Sequence, residues 1–79
     1  MAQRGEVWKK LGAPGDQLGS VNDPRTTEEC GVRWNEKWVY RDPEGEGWDR
    51  VVLWNRYDLC GVFRLLPGGG CAPDPVLGE

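Results

Sequence analysis

At 79 residues with 38% hydrophobic residues, the chain is long enough for one small domain, and a domain near this size buries only about 60% of the surface its unfolded form exposes. A formal charge of −3, 12 glycines, 6 prolines and no histidine exclude histidine-based catalysis and the overall basic excess that supplies most nucleic-acid affinity. The first ten residues lack the apolar stretch of a signal peptide and no segment approaches the roughly 18 apolar residues of a membrane span, so no membrane contact is expected and cytoplasm is the expected compartment.

From Arg4 to Leu11, Val7, Trp8 and Leu11 fall at helical spacing, with Glu6 four residues before Lys10 and Gly12 in a C-cap position; this predicts a short helix, with a strand as the alternative because only two turns are available. Gly12, Pro14, Gly15, Gly19 and Ser20 make Gly12 to Asn22 a loop. Asp23-Pro24 pairs an N-cap with proline at the first helical position, and Gly31 would close a one- or two-turn helix carrying Thr26 to Cys30.

At Val32 the period changes to two. Val32, Trp34, Trp38 and Tyr40 fall on one face and Arg33, Asn35, Lys37 and Arg41 on the other, with Glu36 and Val39 each breaking the pattern once. Asp42-Pro43-Glu44-Gly45-Glu46-Gly47 has turn chemistry, because proline fixes φ and glycine tolerates positive φ. Trp48 to Tyr57 is then the return strand, and Val51-Val52-Leu53-Trp54, apolar on both faces, marks it as central and covered on both sides. Asp58 and Gly61 permit a reversal into a third strand, Cys60 to Leu66, which Pro67 and three glycines end. Cys71 to Glu79 has no period and reads as a tail. The expected fold is therefore α+β or mainly β: residues 1–70 form a small domain built on a three-stranded antiparallel meander at about 32–66, packed by the N-terminal segment, and 71–79 are a tail. An SH3-like small barrel is the alternative if residues 5–11 form a strand.

Hairpin register decides what the aromatic residues can do. If facing residues sum to 89, Arg33, Lys37, Arg41, Trp48, Arg50, Trp54 and Arg56 share a face, a basic aromatic platform suited to stacking bases. If they sum to 90, Arg41 meets Asp49, Val39 meets Val51, Asn35 meets Asn55 and Trp34 lies opposite Arg56. The second register is favoured, because the first sets Arg33 against Arg56 and like charges directly opposite destabilise a sheet. It leaves the arginine stems lying on indoles as part of the structure.

The remaining chemistry is sparse. Cys30, Cys60 and Cys71, 30 and 11 residues apart, match neither a redox pair nor a zinc knuckle, so three free thiols and no metal are expected, with one disulfide or a three-thiolate site as alternatives. Asp42, Glu44, Glu46 and Asp49 lack the pattern of a calcium loop and read as a solvated turn. Glu28, Glu29 and Glu36 read as surface carboxylates rather than an acid/base pair. Gly68-Gly69-Gly70 does not open a helix and is a hinge rather than a phosphate loop. With no catalytic constellation and no cofactor expected, the tryptophan, tyrosine and arginine content points to a non-enzymatic binding or accessory protein. It would act through protein–protein contacts, as a homodimer or as a regulator or inhibitor of a larger enzyme. Trp34, Trp38, Tyr40, Trp48, Trp54, Arg56 and Tyr57 are the expected partner-binding residues. A single-stranded nucleic-acid-binding module is the alternative, not favoured, and a small enzyme or metal protein using its cysteines is the third.

Overall fold

In the computed structural model, which describes residues 3–78, the chain runs α1 (Arg4–Leu11), β1 (Asp16–Gly19), β2 (Thr27–Glu29), β3 (Val32–Trp34), β4 (Glu36–Tyr40), β5 (Asp49–Asn55), β6 (Asp58–Leu65), β7 (Cys71–Pro73) and a 3₁₀ turn (Pro75–Leu77). The first helix forms as its spacing predicts. Gln3 and Glu6 close a reciprocal capping box at its start, and the Gly12 N–H bonds the Trp8 carbonyl at its end. A helix at 4–11 removes the strand that the barrel alternative required.

Antiparallel strands in the order β1-β4-β5-β6-β7 make a five-stranded sheet, and β2 pairs with β3 as a separate hairpin. The expected three-stranded meander survives as β4-β5-β6, extended on both edges. Trp38 faces Val52, Val39 faces Val51 and Tyr40 faces Arg50, so the register is the one whose partners sum to 90 and the basic aromatic platform of the other register does not form. The reversal into β6 comes earlier than Gly61, at Arg56-Tyr57, because Asn55 pairs with Asp58.

Four sequence expectations are corrected. The stretch Gly12 to Asn22 is not wholly loop, since β1 lies within it along β4; Gly19 ends that strand at φ 73°, where a Cβ would collide with the Asn35 carbonyl oxygen. Thr27–Glu29 form β2 rather than part of a helix, because Cys30 and Gly31, at φ 56° and 78°, make the two-residue type I′ turn that sends the chain back as β3. The strand expected from Val32 to Arg41 breaks at Asn35, so Trp34 pairs with Thr27 in the hairpin and packs on the opposite face from Trp38. Finally, 71–78 are no loose tail: Cys71, Ala72 and Pro73 pair with Leu65, Arg64 and Phe63.

β5 carries the core on both of its faces. On one, Trp38, Tyr40, Val52, Trp54 and Val62 are covered by Val7 and Leu11 of α1 and by Val76 and Leu77 of the 3₁₀ turn. On the other, Val39, Val51 and Leu53 pack with Trp34 of the hairpin and with Phe63 and Leu65. The apolar run 51–54 is thus fully buried within one chain. The cysteines differ from expectation as well: Cys30 and Cys71 are joined by a disulfide, leaving Cys60 free. No helix among the described residues is long and apolar enough to cross a membrane.

Candidate interaction surface

Five of the seven residues expected to contact a partner lie in the interior. Trp34, Trp38, Tyr40, Trp48 and Trp54 are buried; of the seven, Arg56 and Tyr57 are exposed, Tyr57 at 68%. The tryptophans are rich in arginine neighbours because both kinds of side chain build the fold. The Arg4 guanidinium carbon lies 5.2 Å from the Trp38 ring and 5.4 Å from that of Trp54. Arg50 and Arg64 lie 5.2 Å and 4.5 Å from Trp48, and the Lys37 ammonium lies 5.2 Å from Trp34. Each is a cation over an indole face.

Two buried carboxylates organise these cations. Glu36 accepts both terminal nitrogens of Arg4, at 2.7 and 3.0 Å, and the Trp38 indole N–H at 2.8 Å. Burial pushes its pKa up, but the Arg4 and Trp38 hydrogen bonds outweigh that and hold it below the ordinary glutamate value. Asp74, whose side chain is wholly inaccessible, accepts Arg50 Nε at 2.6 Å and the Val76 N–H at 3.1 Å, with Arg64 Nε 3.6 Å away. Arg50 and Arg64 face each other across β5 and β6; the Asp74 carboxylate offsets what would otherwise be direct repulsion.

Glu28, Glu29 and Glu36 do not converge. Glu29 binds Lys37 at 2.8 Å and Glu28 is exposed opposite Arg33 in the hairpin. In the acidic loop, the Asp49 carboxylate accepts the Asp42 N–H, that of Asp42 accepts the Gly47 N–H, and Glu44 stands 3.9 Å from Arg50. These carboxylates shape a turn. Among the described residues no group of three or more Cys, Asp or Glu side chains is placed to hold a metal ion.

Asn35 and Asp74 carry the most structure that the sequence reading missed. The Asn35 amide donates to the carbonyls of Val21 and Asp23, and its oxygen accepts the Arg56 N–H at 2.8 Å. It therefore braces the β5–β6 turn, where Arg56 sits at φ 58°, and Arg56 Nη1 also reaches the Val21 carbonyl at 3.4 Å. A signal existed for both: Asn35 is a polar break between two tryptophan-bearing stretches, and Asp74-Pro75 repeats the cap-then-proline pattern noticed at Asp23-Pro24. Beside the brace is a polar groove of about 480 Å³ lined in part by Asp23, Arg25, Thr26 and Trp34. The backbone N–H of Arg25 and then its guanidinium hold the Asp23 carboxyl below its usual pKa.

What is left exposed and apolar is scattered. Trp8, 41% exposed, stands edge-on to Trp38, while Leu18, Tyr57 and Leu66 are separate positions on β1, the β5–β6 turn and just past β6. The chain matches no protein-family model, and no curated protein and no solved structure matches it.

Proposed function

We propose that this chain is a small non-enzymatic binding or accessory protein acting through protein–protein contact, and that the contact is made by the β5–β6 turn rather than by the sheet faces. The observation that carries this is Tyr57: a large aromatic residue 68% exposed on a turn held by the Asn35–Arg56 hydrogen bond, next to a strained, exposed arginine. Tyrosine and arginine dominate protein–protein hot spots, and a preorganised turn loses little entropy on docking. A partner surface offering carbonyl or carboxylate acceptors suits both side chains, as on a larger enzyme that the chain regulates or inhibits; a second copy of the chain is the other occupant. The compartment belongs to the same proposal. Thiols stay reduced in the expected cytoplasmic setting, and the Cys30–Cys71 bond favours an oxidising setting instead.

Affinity capture from the native host with the wild type and with Tyr57→Ala, joined to sedimentation at micromolar concentration, tests this reading. A protein retained by the wild type and lost with Tyr57→Ala supports it, as does a dimer dispersed by that substitution. Equal capture by both proteins, or a monomer that retains nothing, removes the turn from consideration.

A further inference from the structure

The disulfide joins two elements held on the sheet by unequal means. The hairpin β2–β3 lies over Val39, Val51 and Leu53, yet of its six strand residues only Trp34 is buried, with Glu29 and Val32 half-buried and the rest exposed. Its further attachments to the sheet are the Lys37 ammonium, which pairs with Glu29 and lies over the Trp34 ring, and the Asn35 N–H, which bonds the Trp54 carbonyl where β3 runs into β4. Few buried contacts around solvent-exposed backbone define the parts of a protein that open first. The turn adds strain, because Cys30 occupies left-handed backbone that a type I′ turn ordinarily gives to asparagine, aspartate or glycine, and such residues persist only where the surroundings hold them. The far end of the bond is firm. Cys71 lies on β7, and three residues on the buried Asp74 binds Arg50 and caps the 3₁₀ turn.

We propose that the Cys30–Cys71 bond is a reducible latch: it fastens the β2–β3 hairpin to the anchored edge of the sheet, and a dithiol reductant frees the hairpin while the five-stranded sheet stays folded. Cys71 is the exposed member of the pair and Cys30 is half-buried. A reductant thiolate attacks the Cys71 sulfur, the sulfur–sulfur bond breaks, and Cys30 leaves as a thiolate that takes a proton from water. The reductant's second thiol then displaces Cys71, which is protonated in turn, and the reductant departs as its cyclic disulfide, having given two electrons and two protons. Opening uncovers Val51, Leu53, Phe63 and Leu65, an apolar face on strands that remain paired. The reduced form therefore presents an apolar face that the oxidised form hides. This inference does not rest on the turn at Tyr57.

Hydrogen exchange read by mass spectrometry on the full chain tests it, comparing the oxidised protein, the protein reduced with dithiothreitol, and the Cys30→Ser/Cys71→Ser double variant without reductant. We expect residues 27–34 to exchange at least tenfold faster in both the reduced and the double-variant samples, with 36–40, 49–55 and 71–77 within twofold of the oxidised protein. Unchanged exchange at 27–34 would show that the bond holds nothing shut. Acceleration of 36–55 or of 71–77 to the same degree as 27–34 would show that the bond stabilises the whole fold rather than latching the hairpin, and would equally overturn the proposal.

Discussion

Arg4→Met tests whether α1 is fastened to the sheet by charge. Glu36 has a side chain only 6% exposed, while that of Arg4 is 29% exposed, so the pair is buried on the acid side and reaches solvent on the base side. Removing one partner of a buried pair costs about 3–5 kcal/mol, because the other charge is left without compensation. Two features place Arg4→Met at the low end: Trp38 still donates to Glu36 at 2.8 Å, and loss of the arginine opens the carboxylate to water. Methionine replaces the stem that lies against Trp38 and Trp54 but not the cation over their rings, worth about 1 kcal/mol, so a loss of about 3 kcal/mol is expected. In a domain of this size that corresponds to a melting temperature lower by about 12–24 °C. Urea unfolding followed by tryptophan fluorescence measures it directly. Glu36→Gln keeps an acceptor for Trp38 and leaves Arg4 partly solvated, so it should cost less, about 1–2 kcal/mol. The Arg4→Met/Glu36→Gln double variant should then lie within about 1 kcal/mol of Glu36→Gln alone, since the uncompensated charge is gone. A loss below about 1 kcal/mol for Arg4→Met, or a double variant as unstable as the summed singles, would show that the helix is held by Val7 and Leu11 alone.

The same pair predicts a pH dependence: because the folded-state pKa of Glu36 lies below its ordinary 4.5, its contribution is fully present above that value and is lost as pH falls through the lower one. The urea midpoint should therefore drop below about pH 4.5, less steeply in Glu36→Gln, and identical acid limbs would contradict the assignment. Asp74→Ala leaves Arg50 buried opposite Arg64 without a counter-charge and should cost about 3 kcal/mol; a melting temperature lowered by less than about 5 °C, or on the order of 1 kcal/mol, would mean that the C-terminal segment is not fastened there. Generic single-stranded DNA or RNA should bind no more tightly than roughly 10⁻⁴ M at physiological salt, because Trp34, Trp38, Trp48 and Trp54 are buried and only Trp8 offers an exposed indole. Strong quenching of tryptophan fluorescence by micromolar oligonucleotide, relieved by salt, would reverse that.

Where one physical rule acted alone, the sequence was sufficient. The amphipathic spacing of Val7 and Leu11 gave α1, and the preference for Arg41 near Asp49 over Arg33 against Arg56 gave the β4–β5 register; Arg41 Nη1 lies 3.8 Å from the Asp49 carboxylate. Errors arose where two rules competed. Asp23-Pro24 signals a helix start, but Cys30-Gly31 also forms a type I′ turn, and the hairpin prevailed because Trp34 can be buried only by folding back over β5. β1 has four exposed residues and no apolar alternation; its pairing with β4 comes from backbone hydrogen bonds, which leave no mark on side-chain pattern. The tail was misread for a related reason. Its short apolar content, Val76 and Leu77, has no period of its own and gains its place from Asp74, a charged residue whose partner Arg50 lies 24 positions away.

The burial of the tryptophans changes where a partner could dock. A central strand apolar on both faces asks for two covers. The chain supplies both, from short segments with little apolar content of their own: a two-turn helix with a C-terminal turn on one side, and on the other a hairpin whose one buried residue is Trp34. Each cover is completed by something that composition cannot count. On the helix side it is a pair of carboxylates set among arginines, and on the hairpin side it is a disulfide closing across 41 residues. In the oxidised chain the large exposed side chains therefore stand at the margins of the sheet, among them Arg56 and Tyr57 on the turn that Asn35 fixes.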